Sequence, residues 1–160
     1  MNALVVYDST FGNTERIAHA IAQALTTGAT VREQAVSDGA IGLLGVDLLV
    51  IGGPTQAHGT SAPMRAFLQS LPVGPSNNLR AATFDTRFRI PQLFSGSAAS
   101  RIARTLKMKR VRIVGTPESF FVQNSEGPLI EGEIERAAAW ATELLAAVGA
   151  PTKEVAFTSS

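Results

Sequence analysis
Ser9, Thr10, Phe11, Gly12, Asn13 and Thr14 stand between a short apolar run, Leu4 to Tyr7, and the start of an amphipathic pattern. Hydroxyls and an amide cluster there around one glycine. Such a loop can donate hydrogen bonds to an anion, and Gly12 lets the backbone turn its N–H groups inward. A following helix adds unpaired N–H groups and the positive end of its dipole. Together these make a phosphate site that needs no lysine or arginine. The same residues also fit a purely structural role, with Asn13 as a helix cap and Glu15 in the first turn. The GxGxxG dinucleotide pattern and the P-loop pattern are both absent.

Two further loops carry polar or aromatic groups. In "GGPTQAHGTSAP", two glycines and Pro54 let the backbone approach a flat ligand, and Thr55, Gln56 and His58 supply polar groups. A single loop histidine is more often solvated than functional, and a chain with 2 histidines and no cysteine is a poor source of metal ligands. In "FDTRFRIPQLFSGSA", Phe88 and Phe94 offer stacking surfaces and Arg87 and Arg89 offer cations. Two core phenylalanines beneath a long loop would give the same pattern. With no cysteine, disulfides and thiol nucleophiles are excluded.

The elements that must position these loops alternate along the chain. Apolar or β-branched runs predict strands at Leu4–Tyr7, Asp47–Gly53, Leu79–Asp85 and Val111–Gly115, and Thr30–Val36, with Val31 and Ala35 among polar residues, fits a second, more exposed strand. Between them, Ile17, Ala20, Ile21, Ala24 and Leu25 fall at helical spacing, as do Met64, Phe67, Leu68 and Leu71 behind Pro63, and Ala98, Ile102, Ala103 and Leu106. Ser37–Leu44 reads as a short helix or turn. A last helix is expected over Glu133–Val148, with Ile134, Ala138, Ala141, Leu145 and Val148 inside. Alternation of this kind predicts an α/β three-layer sandwich around a five-stranded parallel sheet. Ligands of such sheets bind beyond the carboxyl ends of the strands, and the three loops follow strands one, three and four.

One domain is expected over residues 1–149, with a tail at 150–160. A net charge of +1 on 160 residues argues against an overall nucleic-acid binder. No apolar segment reaches the ~18 residues of a membrane span. The first strand has no basic region ahead of it, and the expected location is the cytoplasm.

The chain resembles the flavodoxin family. Flavodoxins carry a [ST]-x-T-G-x-T loop after strand one that wraps the phosphate of flavin mononucleotide (FMN), and Ser9, Gly12, Asn13 and Thr14 match it in place. Phe11 stands where flavodoxins usually have threonine. An aromatic residue there, with "GGPTQAHGTSAPMRAFL" in the second loop, is similar to the tryptophan-repressor-binding-protein-like quinone oxidoreductase branch. The resemblance implies strand order 2-1-3-4-5, FMN as cofactor, and electron transfer to a redox partner protein or to a small acceptor such as a quinone. It implies a phosphate held by Ser9, Thr10, Gly12, Asn13 and Thr14, with Phe11 in the same loop. The flavin ring would lie near Pro54, Thr55, Gln56 and His58, with Asp85, Thr86 and Phe88 opposite. No side chain need act as a nucleophile, and no metal is implied.

Two segments stand apart from this pattern. Arg80 to Arg112 holds nine basic residues against the single acid Asp85. That is either a solvated face or a surface for an acidic partner or anionic substrate. "SFFVQNSEGPLIEGE" reads as a hairpin-like extension turning at Gly127-Pro128, serving as an oligomer contact or a lid on the last helix. A rival reading keeps the fold and replaces the enzyme by a non-enzymatic module with a degenerate flavin site that binds a protein partner.

Overall fold
The computed structural model describes residues 1–56, 59–71, 74, 78–90 and 96–149. The elements run β1 (Asn2–Tyr7), α1 (Asn13–Leu25), β2 (Thr30–Ala35), a 3₁₀ turn (Val36–Asp38), β3 (Leu48–Pro54), α2 (Ala62–Ser70), β4 (Arg80–Phe88), α3 (Ala98–Met108), β5 (Arg112–Ile113), β6 (Glu118–Val122) and α4 (Glu133–Gly149). The strands form one parallel sheet in the order β2-β1-β3-β4-β5, as expected, with β6 also bonded to β4. The expected tail lies outside the described residues.

Alternation along each strand sorts side chains to the two faces of the sheet. Ala3, Val5 and Tyr7 of β1 and Leu48 and Val50 of β3 face the layer that holds Ile17, Ile21, Ala137 and Trp140. Leu4, Val6, Leu49 and Ile51 face the layer that holds Met64, Leu68, Ile102 and Leu106. Phe84, Phe120 and Trp140 meet edge to face, with ring centroids 5.9 to 6.3 Å apart. Such pairs contribute about 0.5–1.5 kcal/mol each beyond the area they bury.

Gly52 lies under this cluster. A Cβ added there would fall 2.6 Å from atoms of the Phe84 ring, which is fully buried and cannot swing away. Gly52→Ala is therefore expected to destabilise the fold by about 1–3 kcal/mol through overpacking. Urea denaturation checks this, and an unchanged midpoint would mean that the ring can yield.

Three expectations are corrected. β4 runs to Phe88, three residues beyond Asp85, because β6 gives it a partner from Phe84↔Glu118 to Phe88↔Val122. The segment after β5 is thus first a strand in the fifth position of the sheet. It then turns back at Gly127-Pro128 as expected, with Gln123 N donating to Pro128 O at 2.9 Å, Ile130 N to Phe121 O at 2.9 Å, and Val122 opposite Leu129. In α4 the buried stripe is Glu133, Ala137, Trp140, Ala141, Leu144 and Val148, while Ile134, Ala138 and Leu145 are half-buried. The bulky Trp140 sets the rotation of the helix against Phe84 and Phe120.

An acid is buried at the start of α4. Glu133 accepts from Phe121 N at 2.8 Å and from Arg136 Nη2 at 2.7 Å, and Arg136 reaches Glu118 at 2.6 Å. Burial pushes the Glu133 carboxyl up, but the Arg136 hydrogen bonds, the Phe121 amide and the charges of Arg136 and Arg89 together hold it below 4.5. A carboxyl with a depressed folded-state pKa stabilises the fold above its unfolded value and loses that contribution as pH falls through the folded value. The stability gap between the native chain and Glu133→Gln is expected to be full at neutral pH and to shrink below about pH 4.5. Thermal unfolding at both pH values tests this. A gap independent of pH would assign the cost of the substitution to packing.

Candidate flavin site
The α1 end of the sheet is built around Gly12. Its φ of 87° is left-handed, a conformation that costs a non-glycine residue roughly 1–2 kcal/mol. This turn makes Gly12 the N-cap, and Asn13 is the first helical residue and not the cap. The capping acceptor is Ser9 Oγ, which takes Gly12 N at 3.1 Å and Glu15 N at 3.3 Å. The capping role therefore falls to Ser9 and not to Asn13, and it does not use up the donors of the loop. Ser9 caps the helix through its oxygen and keeps its proton to donate, while the amides of Asn13 and Thr14 have no acceptor among the described residues.

A cavity of about 380 Å³ opens over this turn, within the range of roughly 300–1,000 Å³ typical of small-molecule sites. Ser9, Thr10, Phe11, Asn13 and Thr14 line one side, and Pro54, Thr55 and Gln56 another. Thr86, Arg87, Phe88 and Ile90 come from the end of β4, and Val122 and Ser125 from the end of β6 and the turn beyond it. The walls are mixed. Phe11, Phe88 and Ile90 are 57%, 41% and 45% exposed and form an apolar rim. Thr14 is only 2% exposed, and its hydroxyl lies 2.8 Å from that of Thr86.

The expected residues divide by position. Ser9, Thr10, Phe11, Asn13, Thr14, Pro54, Thr55, Gln56, Thr86 and Phe88 meet at this cavity. Gly12 shapes the loop without lining the wall. The Asn13 side chain is engaged by donating to Glu126 O at 3.0 Å, and its backbone amide is left without an acceptor among the described residues. His58 and Phe94 lie outside the described residues. Tyr7, the only tyrosine, is buried in the core, where burial and then Glu15 push its hydroxyl up to about 12.

Asp85 stands behind the wall and not on it. It is 0% exposed, and Oδ2 accepts from Ser97 Oγ at 2.7 Å, Ala99 N at 3.0 Å and Thr55 Oγ1 at 3.1 Å. Its other oxygen accepts no hydrogen bond and lies 3.9 Å from Arg87 Nε. Arg87 is held in turn by Ser119 Oγ at 2.9 Å and Ile90 O at 2.8 Å. Asp85 thus joins the second loop, the start of α3 and the Arg87 wall. Ile90, Val122 and Ser125 were not anticipated as lining residues. Asn124-Ser125-Glu126-Gly127 is a turn signal, but nothing local in it says that the turn returns over the first loop.

Loops at the carboxyl ends of β1, β3 and β4, with a helix N-terminus among them, define a doubly wound α/β protein, a fold whose ligands bind at that end of the sheet. The flavodoxin family model matches residues 5–84, half of the chain, and the chain belongs to the flavodoxin family. Flavodoxins bind FMN and transfer electrons. Among solved structures, an archaeal flavodoxin superposes with a TM-score of 0.73 at 19% identity, over 92% of this chain and 99% of that one. Flavodoxin 2 of Bacillus cereus gives 0.74 at 23% identity, over 91% and 98%. Rubredoxin oxygen:oxidoreductase of Desulfovibrio gigas gives 0.73 at 17% identity over 92% of this chain but 36% of that one, so this chain corresponds to about a third of that protein. No curated protein matches the chain in sequence. No helix among the described residues is long and apolar enough to cross a membrane.

Proposed function
We propose that this chain binds FMN in the cavity beneath Phe11 and Phe88 and exchanges electrons with a redox partner protein or a small acceptor such as a quinone. The observation that carries the reading is the α1 turn, with two unused amides, the Ser9 hydroxyl and the buried Thr14 hydroxyl converging beside a mixed cavity. The donor set fits a phosphate, being neutral, rigid and set at the positive end of a helix. When bound, FMN supplies the electron-carrying chemistry. The chain's own part is to hold and surround it. Ser9, Thr10, Thr14 and the Asn13 and Thr14 amides would take the phosphate. Pro54, Thr55, Gln56, Thr86 and Phe88 would border the ring, with Arg87 as the nearby cation. Gln56 Nε2 lies 3.5 Å from Thr10 Oγ1 and ties the first two loops together at the rim.

The apolar rim supports an acceptor that is itself flat and apolar. The open, polar-based cavity favours flavin binding over a module with a degenerate site. The domain is proposed to span 1–149. The test is anaerobic reduction of the FMN-loaded protein followed by addition of a water-soluble benzoquinone. Reoxidation faster than that of free reduced FMN at the same concentration is expected. Slower reoxidation would show that the protein shields the ring from such acceptors.

A further inference from the structure
Charge is divided unevenly along the chain. Between Leu48 and Pro117 lie ten of the 14 basic residues and one of the 13 acids, and that acid, Asp85, is fully buried. α2 and α3 sit on the same face of the sheet and carry no acidic residue between them. They enclose a groove of about 230 Å³ lined by Thr60, Arg65, Leu68, Gln69, Arg101, Arg104 and Thr105. All three arginines are exposed. Arg101 and Arg104 are three apart on α3 and so share one helix face. Arg65 is positioned by donating to Thr60 O at 2.6 Å.

One loop links the groove to the flavin cavity in sequence. Gln56 lines the cavity and pairs with Gly59 through two backbone bonds of 2.8 and 2.7 Å. Gly59 packs on Arg101, with so little room that an added Cβ would meet the Arg101 side chain at 3.0 Å. Thr60, the next residue, lines the groove. A body seated on the arginines therefore lies beside the loop that borders the cavity, whose mouth shows the exposed side chains Phe11, Phe88 and Ile90.

We propose that the α2–α3 groove docks an acidic protein, whose carboxylates pair with Arg65, Arg101 and Arg104 while its apolar surface covers the cavity mouth. This rests on the flavin-binding reading for its purpose, though not for the binding itself. A protein partner fits better than a nucleic acid, because it supplies carboxylates and apolar surface side by side. The positive face would steer approach and fix orientation more than it would add affinity.

The probe is a fluorescein-labelled oligoglutamate peptide, followed by anisotropy with the FMN-treated protein. Saturable binding is expected at low salt, lost as salt rises from about 0.05 to about 0.5 M and the screening length contracts. The pair Arg101→Glu, Arg104→Glu should weaken it about tenfold or more. The pair Lys107→Glu, Arg112→Glu changes net charge equally outside the groove and should weaken it no more than about threefold. Equal losses in both pairs would overturn the proposal, since net charge alone would then explain binding. No binding at low salt would also overturn it, as would a single-stranded DNA probe that binds more tightly and loses affinity in the groove pair. FMN affinity, measured on the same samples by fluorescence quenching, separates the two readings. Peptide binding without flavin binding removes the proposed function and keeps the docking face. Flavin binding with an indifferent groove pair does the reverse.

Discussion

Replacing Asp85 by alanine is expected to lower the stability of the fold by about 3–5 kcal/mol, the cost of breaking a buried, hydrogen-bonded charge network from one side. Three donors converge on one oxygen of a fully buried carboxylate, and they come from two other parts of the chain. Thr55 belongs to the cavity wall, Ser97 is the N-cap of α3, and Ala99 lies in its first turn. Alanine leaves all three without an acceptor and Arg87 without its nearest carboxylate. Asp85→Asn keeps one carbonyl oxygen, so its cost is expected to be smaller, and the difference between the variants measures the charge. Urea denaturation reads both. An alanine variant within about 0.5 kcal/mol of the native chain, the range of an ordinary surface change, would mean that α3 and the second loop hold their places without the carboxylate. FMN affinity is expected to fall in the alanine variant as well, because Thr55 loses its anchor.

Thr14→Val is expected to weaken FMN binding by about ten- to a hundredfold. A hydrogen bond to a charged group contributes about 1.5–3 kcal/mol, and each 1.4 kcal/mol is about tenfold in affinity. The geometry shows how the proton becomes available. Thr14 and Thr86 are 2.8 Å apart, and either can donate. If Thr86 donates, the Thr14 proton is left for the phosphate. Valine removes it and also strands the Thr86 hydroxyl in a buried site, so circular dichroism and a melting curve must accompany the binding curve. Thr14→Ser keeps the hydroxyl and should recover most of the affinity. If serine and valine weaken binding alike, the lost methyl packing and not the hydrogen bond is responsible.

Much of this arrangement was legible in the residues. Leu4–Tyr7 and Asp47–Gly53 are apolar on both faces, which only a strand covered on both sides can satisfy, so the central sheet followed. The loops followed from their place at the strand ends. Polar residues bonded at long range could not be read in the same way. Asp85 belongs to the third loop in sequence, yet three donors from two other segments bury it behind the wall. Thr86, Arg87 and Phe88 look like loop until β6 pairs with them. Asn13 has every property of a cap, but the left-handed Gly12 shifts the helix start by one residue and Ser9 takes the role. Val122 and Ser125 reach the cavity only because the chain returns after β6, and no local spacing encodes that return.

The most direct measurement is a parallel fluorescence titration of the apo-protein with FMN and with riboflavin, which carries the same ring and no phosphate. If the α1 turn is a phosphate site, at least two charge-assisted hydrogen bonds are lost with riboflavin, at about 1.5–3 kcal/mol each. FMN should then bind at least about a hundredfold more tightly. Equal affinities for the two flavins would contradict the account, because the Ser9–Thr14 loop would then be a helix cap and nothing more.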